Sequence, residues 1–291
     1  MKSHSRRHSD NSKKKITTAK SVKFMKPTKS SILIIQNSRG QAHRGVELSK
    51  TDIHKIVTHR TLYQIYDKSH FTNCYDSMLQ LGEFCFKHPE FKLFIGGDHF
   101  TSFGTVLSSL MQYGNEFRLV WIDAHTDIHS FESSHTKNLH GMVVRMLMTH
   151  TFADIPRLLP DQLFYVGLRS VERAEMDFVK QHHIRHITAR EFNVNPRKAM
   201  DTIIQFTQYR PLHISLDVDS LDPVYMPSTG TPVSNGLLLA DLLELLRDIR
   251  RGSGRINSCA DIMEYNPEIG SHKERKISIE TMRKCIDILM N

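Results

Sequence analysis

The sequence has few cysteines, no paired-cysteine motif and no long apolar stretch. Its four cysteines, Cys74, Cys85, Cys259 and Cys285, show no Cys-x-x-Cys spacing, which fits a reducing compartment rather than a disulfide framework. No apolar run reaches the roughly 18 residues of a membrane-spanning helix, and the amino terminus lacks the apolar centre of a secretory signal. We therefore expect no membrane partner and a cytoplasmic location.

Acidic residues are nearly absent from the first thirty residues. This segment holds ten Lys or Arg and only Asp10 as an acid, a local charge of +9, whereas the whole chain carries +8. The remaining residues sum to about −1, so a basic face for nucleic acid on the folded part is not indicated. We expect residues 1–30 to be a disordered basic tail. It is either simply solvated or serves as a nuclear address, a mitochondrial-type presequence or a weak nucleic-acid contact.

From residue 31 onward, apolar runs that predict strands alternate with segments of helical spacing. Phe117–Ile122 is typical of a buried strand, and Ser102–Tyr113 has its apolar residues on one helical face. Such alternation predicts an α/β fold of three layers, α/β/α, with a mainly parallel central sheet. No Pro-, Gly- or Ser-rich linker divides residues 31–291, and we interpret them as a single domain.

Three predicted strands end in clusters of Asp and His. Since ligands in open α/β sheets bind beyond the carboxyl ends of the strands, we expect these clusters to meet. Extended backbone after the strand would point Asp123, His125 and Asp127 to one side. The three clusters are Gly96-Gly97-Asp98-His99, Asp123-Ala124-His125-Thr126-Asp127 and Asp217-Val218-Asp219.

Any one of these clusters alone would more often be a turn or a helix cap. Their recurrence at three strand ends changes that interpretation, because four converging carboxylates would repel one another without a counterion. Little Lys or Arg lies among them. The pattern therefore predicts a divalent cation held by oxygen and imidazole ligands.

With these motifs placed, the sequence resembles the ureohydrolase superfamily, and arginase most closely, over roughly residues 33–290. The resemblance rests on four motifs in order: Gly96-Gly97-Asp98-His99, Asp123-Ala124-His125-Thr126-Asp127-Ile128, Ser215-Leu216-Asp217-Val218-Asp219-Ser220-Leu221-Asp222-Pro223, and Asp261-Ile262-Met263-Glu264-Tyr265-Asn266-Pro267. It implies that residues 31–291 form an arginase-like catalytic domain.

The resemblance implies two Mn²⁺ ions per subunit. One ion would be held by His99, Asp123, Asp127 and Asp217, and the other by His125, Asp123, Asp217 and Asp219. Such a pair acidifies water, which then attacks the guanidinium carbon. The catalytic residues that it implies are Asp127, His140 as the proton shuttle, and Glu264 as the carboxylate that holds the guanidinium.

The resemblance also implies how the amino-acid end of L-arginine would be bound. His129 and Thr136 stand where the family uses Asn and Ser for the substrate carboxylate, and Glu172 replaces the customary Asp for the α-amino group. The expected substrate contacts are His129, Thr136, Asn138, Glu172, Thr231 and Glu264. The sequence thus departs from the family pattern at His129 and Glu172.

Cleavage of L-arginine to L-ornithine and urea is the function that the resemblance implies. Agmatine or another guanidino compound is the alternative substrate, and a non-catalytic homologue is a further alternative that the six intact ligands disfavour. The family also implies a homo-oligomer, either a trimer or a hexamer. The segment between Gly40 and His99 and the chain after Glu264 are shorter than is typical.

Overall fold

A parallel sheet of eight strands runs through the part of the chain that the structure describes. The computed structural model describes residues 31–42, 44–57, 62–66, 74–207, 209–252 and 258–290. The predicted basic tail, residues 1–30, lies outside the described residues. The strands are β1 (Ser31–Gln36), β2 (Leu62–Tyr66), β3 (Phe91–Ile95), β4 (Arg118–Ile122), β5 (Leu163–Leu168), β6 (Arg185–Thr188), β7 (Leu212–Asp217) and β8 (Ser258–Met263).

The order of the strands across the sheet is β2-β1-β3-β8-β7-β4-β5-β6. Every pairing between neighbours is parallel. The three strands that end in Asp and His clusters, β3, β7 and β4, thus lie near the centre, with β8 between β3 and β7. Their carboxyl ends share one edge of the sheet.

Helices cover both faces of this sheet. Within the described ranges they are α1 (Lys50–Ile56), α2 (Cys74–Lys87), α3 (Thr101–Tyr113), α4 (Val143–Thr149), α5 (Arg173–Gln181), α6 (Ala189–Val194), α7 (Pro196–Thr207), α8 (Leu239–Gly252) and α9 (His272–Met290). Helices α2 to α5 pack against one face, and α1 and α6 to α9 against the other.

Side-chain alternation along the central strands separates the two cores. On β4, Val120 and Ile122 belong to one hydrophobic cluster, whereas Leu119 and Trp121 belong to the other. Strands buried on both faces read as continuous apolar runs, as these do. The predicted three-layer α/β/α class with a parallel sheet is therefore confirmed.

Two short helices were not expected from the sequence. Helix α1 has Asp52 and Ile53 as its buried residues, so it lacks a long apolar stripe. Helix α6 is six residues long and buries Ala189 and Phe192.

None of the described helices is long and apolar enough to pass through a bilayer.

Gly96 sits where β3 turns toward the site. Its φ is +97°, and an added Cβ would lie 2.9 Å from the Ile35 carbonyl oxygen. We expect Gly96→Ala to lower the free energy of unfolding by about 1–3 kcal/mol, because a left-handed backbone and a backbone clash coincide. Urea denaturation measures the change. Gly141→Ala is the matched control, since its Cβ would meet nothing within 4 Å; an equal loss in both variants would refute this explanation.

Candidate functional site

Three strand ends deliver the six predicted ligand residues to one place. His99 follows β3 through the turn at Gly96 and Gly97, whose φ values are +97° and +87°. Asp123, His125 and Asp127 follow β4, while Asp217 closes β7 and Asp219 lies two residues further. Five of the six residues are buried, and His125 is half-buried.

His99 is surrounded by three carboxylates. Its Nδ1 lies 3.0 Å from Asp123 Oδ2, 3.0 Å from Asp127 Oδ2 and 3.1 Å from Asp217 Oδ2. Although these oxygens are close, Nδ1 is buried and has no hydrogen bond of acceptable geometry. An imidazole nitrogen enclosed by carboxylate oxygens, yet not hydrogen-bonded to them, fits a shared cation.

A second cluster lies beside the first and shares Asp123 with it. His125 Nδ1 is 3.1 Å from Asp219 Oδ2 and 3.4 Å from Asp123 Oδ1. His99, Asp123 and Asp217 form one group that could hold a metal ion, and Asp123, His125 and Asp219 form another. The residues present therefore fit two ions bridged by Asp123.

Burial and mutual repulsion shift the titration of the clustered carboxylates. Burial and the charge of Asp123 raise the pKa of Asp127 to about 6. For His125, burial lowers the pKa, but hydrogen bonds to Asp123 and Asp219 outweigh it and raise the pKa to about 12.

One expectation about this loop was wrong. Extended backbone was expected to carry Asp123, His125 and Asp127 on one side, but β4 ends at Ile122 and a bend follows. Asp127 has a φ of +49°, a conformation uncommon outside glycine and one that marks functional sites. Asp123, His125 and Asp127 therefore reach the site through a bend in the backbone and not through extended alternation.

A chain of buried hydrogen bonds holds the Nε2 side of the His99 ring. Ser215 Oγ donates to Asp261 Oδ1 at 2.6 Å, so its lone pair is available to His99 Nε2 at 2.9 Å. Asp261 also accepts from Thr105 and contacts His213 Nε2. With its Nε2–H directed to Ser215, His99 presents Nδ1 to the carboxylates, the arrangement typical of supported metal ligands.

Trp121 and Thr231 hold the neighbouring carboxylates. The Trp121 ring stacks on His99, with centroids 4.1 Å apart and planes 14° apart, and its Nε1 donates to Asp123 Oδ2. Thr231 was expected among the substrate contacts; its hydroxyl donates to Asp219 Oδ2 at 2.8 Å.

Glu264 lies beside the two clusters, and three groups contact its carboxylate. Its Oε1 accepts the backbone N–H of His99 at 2.8 Å and lies 3.2 Å from His140 Nδ1. Its Oε2 accepts from Gln41 Nε2 at 2.8 Å. Burial opposes ionisation, but the bond to His140 and its charge outweigh it and lower the pKa of Glu264. Sequence analysis missed Gln41, because the two residues lie far apart in the chain.

The residues expected to contact the amino-acid end of the substrate lie along two loops. His129 Nε2 is 3.6 Å from Glu172 Oε1 and 3.5 Å from Glu175 Oε1. Thr136 is exposed and its hydroxyl accepts the N–H of Asn138 at 3.3 Å. Glu175 was missed by the sequence analysis; its spacing three residues after Glu172, on the same face of α5, is the signal that could have identified it.

Comparisons with known proteins agree with this geometry. The model of the arginase family matches residues 33–287. An arginase of Entamoeba histolytica is 33% identical over 204 residues, covering 67% of this chain and 67% of that enzyme. The Saccharomyces cerevisiae arginase is 35% identical over 199 residues, covering 62% of this chain and 59% of that enzyme. The chain thus spans about three-fifths to two-thirds of these relatives.

A solved structure shows the same fold. The Entamoeba histolytica arginase in complex with L-ornithine superimposes with a TM-score of 0.79 and 24% identity, covering 91% of this chain and 99% of that one.

A substitution of Ser215 tests whether its hydroxyl orients the His99 ring. We expect Ser215→Ala to weaken metal binding by about 10–100-fold, because the hydroxyl that orients the His99 ring is lost. Titration of the metal-loaded protein with a competing chelator gives the affinity. The control is Ser108→Ala, which removes a buried hydroxyl bonded within α3 to Thr105 O. Equal affinity in parent and Ser215→Ala would exclude this role.

Proposed function

Because the chain belongs to the arginase family, we propose that it is a binuclear metal hydrolase that converts L-arginine to L-ornithine and urea. The observation that carries the proposal is the pair of adjacent clusters that share Asp123. The ornithine complex of the Entamoeba histolytica enzyme supports the choice of substrate.

We propose Mn²⁺ for both ions. His99, Asp123, Asp127 and Asp217 would hold one ion, and His125, Asp123, Asp217 and Asp219 the other. Carboxylate oxygens with two imidazoles suit Mn²⁺. When bound, the pair supplies a hydroxide nucleophile near neutral pH by acidifying water.

Glu264 is proposed to bind the guanidinium. A carboxylate accepts paired N–H bonds from a guanidinium, and these charge-assisted bonds are strong and directional. Glu264 is 2% exposed, and its lowered pKa keeps it ionised. Gln41 and the His99 N–H fix both carboxylate oxygens, so the substrate carbon would be held above the clusters in one orientation.

His140 is proposed to deliver the proton that the departing amine needs. Burial lowers its pKa, but the hydrogen bond to Glu264 and the Glu264 charge raise the pKa to about 9. The imidazole therefore carries a proton at neutral pH, at a position 3.2 Å from the carboxylate that would hold the substrate. A proton donor placed beside the reacting group is what general acid catalysis requires.

The amino-acid end of the substrate is proposed to contact His129, Thr136, Asn138 and Glu172. Thr231 would contribute indirectly, through its hydrogen bond to Asp219. Glu172 would receive the α-amino group, while Thr136 and Asn138 offer polar groups to the carboxylate. We also propose a homo-oligomer, a trimer or hexamer as in the family resemblance, and a cytoplasmic location.

Agmatine, or another guanidino compound, is the second candidate substrate. What favours it is His129, which stands where the family uses Asn to bind the substrate carboxylate. Agmatine lacks that carboxylate, so the replacement would affect the binding of arginine more than that of agmatine. A non-catalytic role is disfavoured because all six ligand residues are brought together.

Urea release tests the proposed reaction. The Mn²⁺-loaded protein should release urea from L-arginine, and Asp127→Asn should reduce the rate by at least about a thousandfold, because a carboxylate ligand of one ion is lost. Asp177→Asn is the control, since Asp177 is exposed and contacts Arg173. Urea production that survives Asp127→Asn would contradict the proposed centre. No urea from arginine, with two metal ions bound, would favour agmatine instead.

His129→Asn tests the second candidate. We expect the variant to lower the KM for L-arginine by about tenfold, a change of one hydrogen bond to a charged group, because Asn restores the amide that the family uses for the substrate carboxylate. The KM for agmatine, which lacks the carboxylate of arginine, provides the comparison in the same two proteins. An unchanged KM for arginine would show that His129 does not limit its binding.

A further inference from the structure

A cavity of about 480 Å³ opens at the amino-terminal end of the sheet, opposite the metal centre. Arg118 begins β4 and Arg185 begins β6, whereas the metal clusters follow the carboxyl ends of the strands. Its volume lies in the range of small-molecule sites. The lining residues are Arg118, Phe164, Arg185, Thr202, Gln205, Phe206 and Arg210.

Three of the seven lining residues are arginines, and none is acidic. Arg210 pairs with Glu116 at the edge of the cavity. Arg118 donates to the Phe117 carbonyl. Burial and the nearby charge of Arg210 lower the pKa of Arg118, with Arg185 adding to this effect and Asp161 and Glu116 opposing it. The charges of Arg210 and Arg185 thus repel that of Arg118, and the carboxylates of Glu116 and Asp161 offset part of this repulsion.

An aromatic floor holds two of these arginines in place. The Cζ atoms of Arg118 and Arg185 lie 5.7 Å and 5.3 Å from the centroid of the Phe206 ring, within the range of cation–π attraction. Phe206 packs in turn against Phe164, with centroids 5.3 Å apart. Anchoring at the ring reduces the entropy that ordering the side chains would cost on binding.

Helix α7 and a neighbouring cavity extend the polar surface. Thr202 and Gln205, one turn apart on α7, add a hydroxyl and an amide to the wall. A second cavity of about 500 Å³ shares Phe164, Arg185 and Thr202 with the first. It is also lined by Lys180, His183 and His186, so the basic character continues beyond the arginines.

We propose that this cavity is a binding site for an organic phosphate of about nucleotide size. Converging guanidinium groups match the oxygen geometry of phosphate and bind it in a bidentate manner. A bound anion would relieve the repulsion that Arg210 and Arg185 exert on Arg118. The combined volume of the adjoining cavities leaves room for an organic part beside the phosphate.

Equilibrium dialysis of labelled ADP against the full chain, at about 0.15 M salt, tests the site. We expect about one ADP per chain, displaced by pyrophosphate but not by adenosine. The double variant Arg118→Gln/Arg185→Gln should weaken ADP binding at least about tenfold, since two charge-assisted contacts are lost. The matched control is Arg197→Gln/Arg251→Gln, which removes the same charge from exposed arginines paired with Asp248.

Three outcomes would overturn the proposal. These are no ADP binding by the parent, displacement by adenosine, and equal binding by the two double variants. Equal binding would mean that ADP binds elsewhere, to the basic residues 1–30 or at the metal centre, since neither is changed in the double variants. Circular dichroism spectra that match the spectrum of the parent show that both double variants are folded. Arg185→Gln alone, which changes an exposed side chain, replaces the double variant if the latter does not fold.

Discussion

The crowding of buried carboxylates around two imidazoles is the constraint on which the structure of this protein depends. Asp123, Asp127 and Asp217 come within 3.1 Å of one nitrogen of His99, an arrangement that is costly unless positive charge is supplied. The surrounding structure holds it in place. Trp121, Ser215 and Thr231 each bind one of the clustered side chains, so hydrogen bonds from the protein itself maintain the geometry of the clusters.

The parallel sheet makes this crowding possible. Strands β3, β7 and β4 are buried on both faces and end at the same edge, where their polar continuations meet. At that edge, Glu264 follows β8, the strand between β3 and β7, and reaches the rim with a φ of +69°. A strained backbone at such a position is stable because packing on both sides determines it. Rigid strands thus carry the clustered Asp and His side chains, and the loops beyond them carry the residues that are proposed to contact substrate.

The sequence predicted the elements whose signals are local. The apolar run of β4 and the recurrence of Asp and His after three strands predicted that these side chains would meet, and the structure brings them together. Helix α6 was missed because it buries few residues, although Thr188 and Glu191 form a capping box that marks its start. Gln41 was missed for another reason. Its role depends on its contact with Glu264, which only the folded chain brings near.

The stacking of Trp121 on His99 gives the centre an intrinsic optical signal. The chain contains a single tryptophan, and its ring touches one candidate ligand while its N–H binds another. All of the indole fluorescence of the protein therefore originates at the centre. A change in charge or occupancy there alters the surroundings of the only tryptophan, so the emission spectrum reports the state of the centre without a label and without background from the rest of the chain.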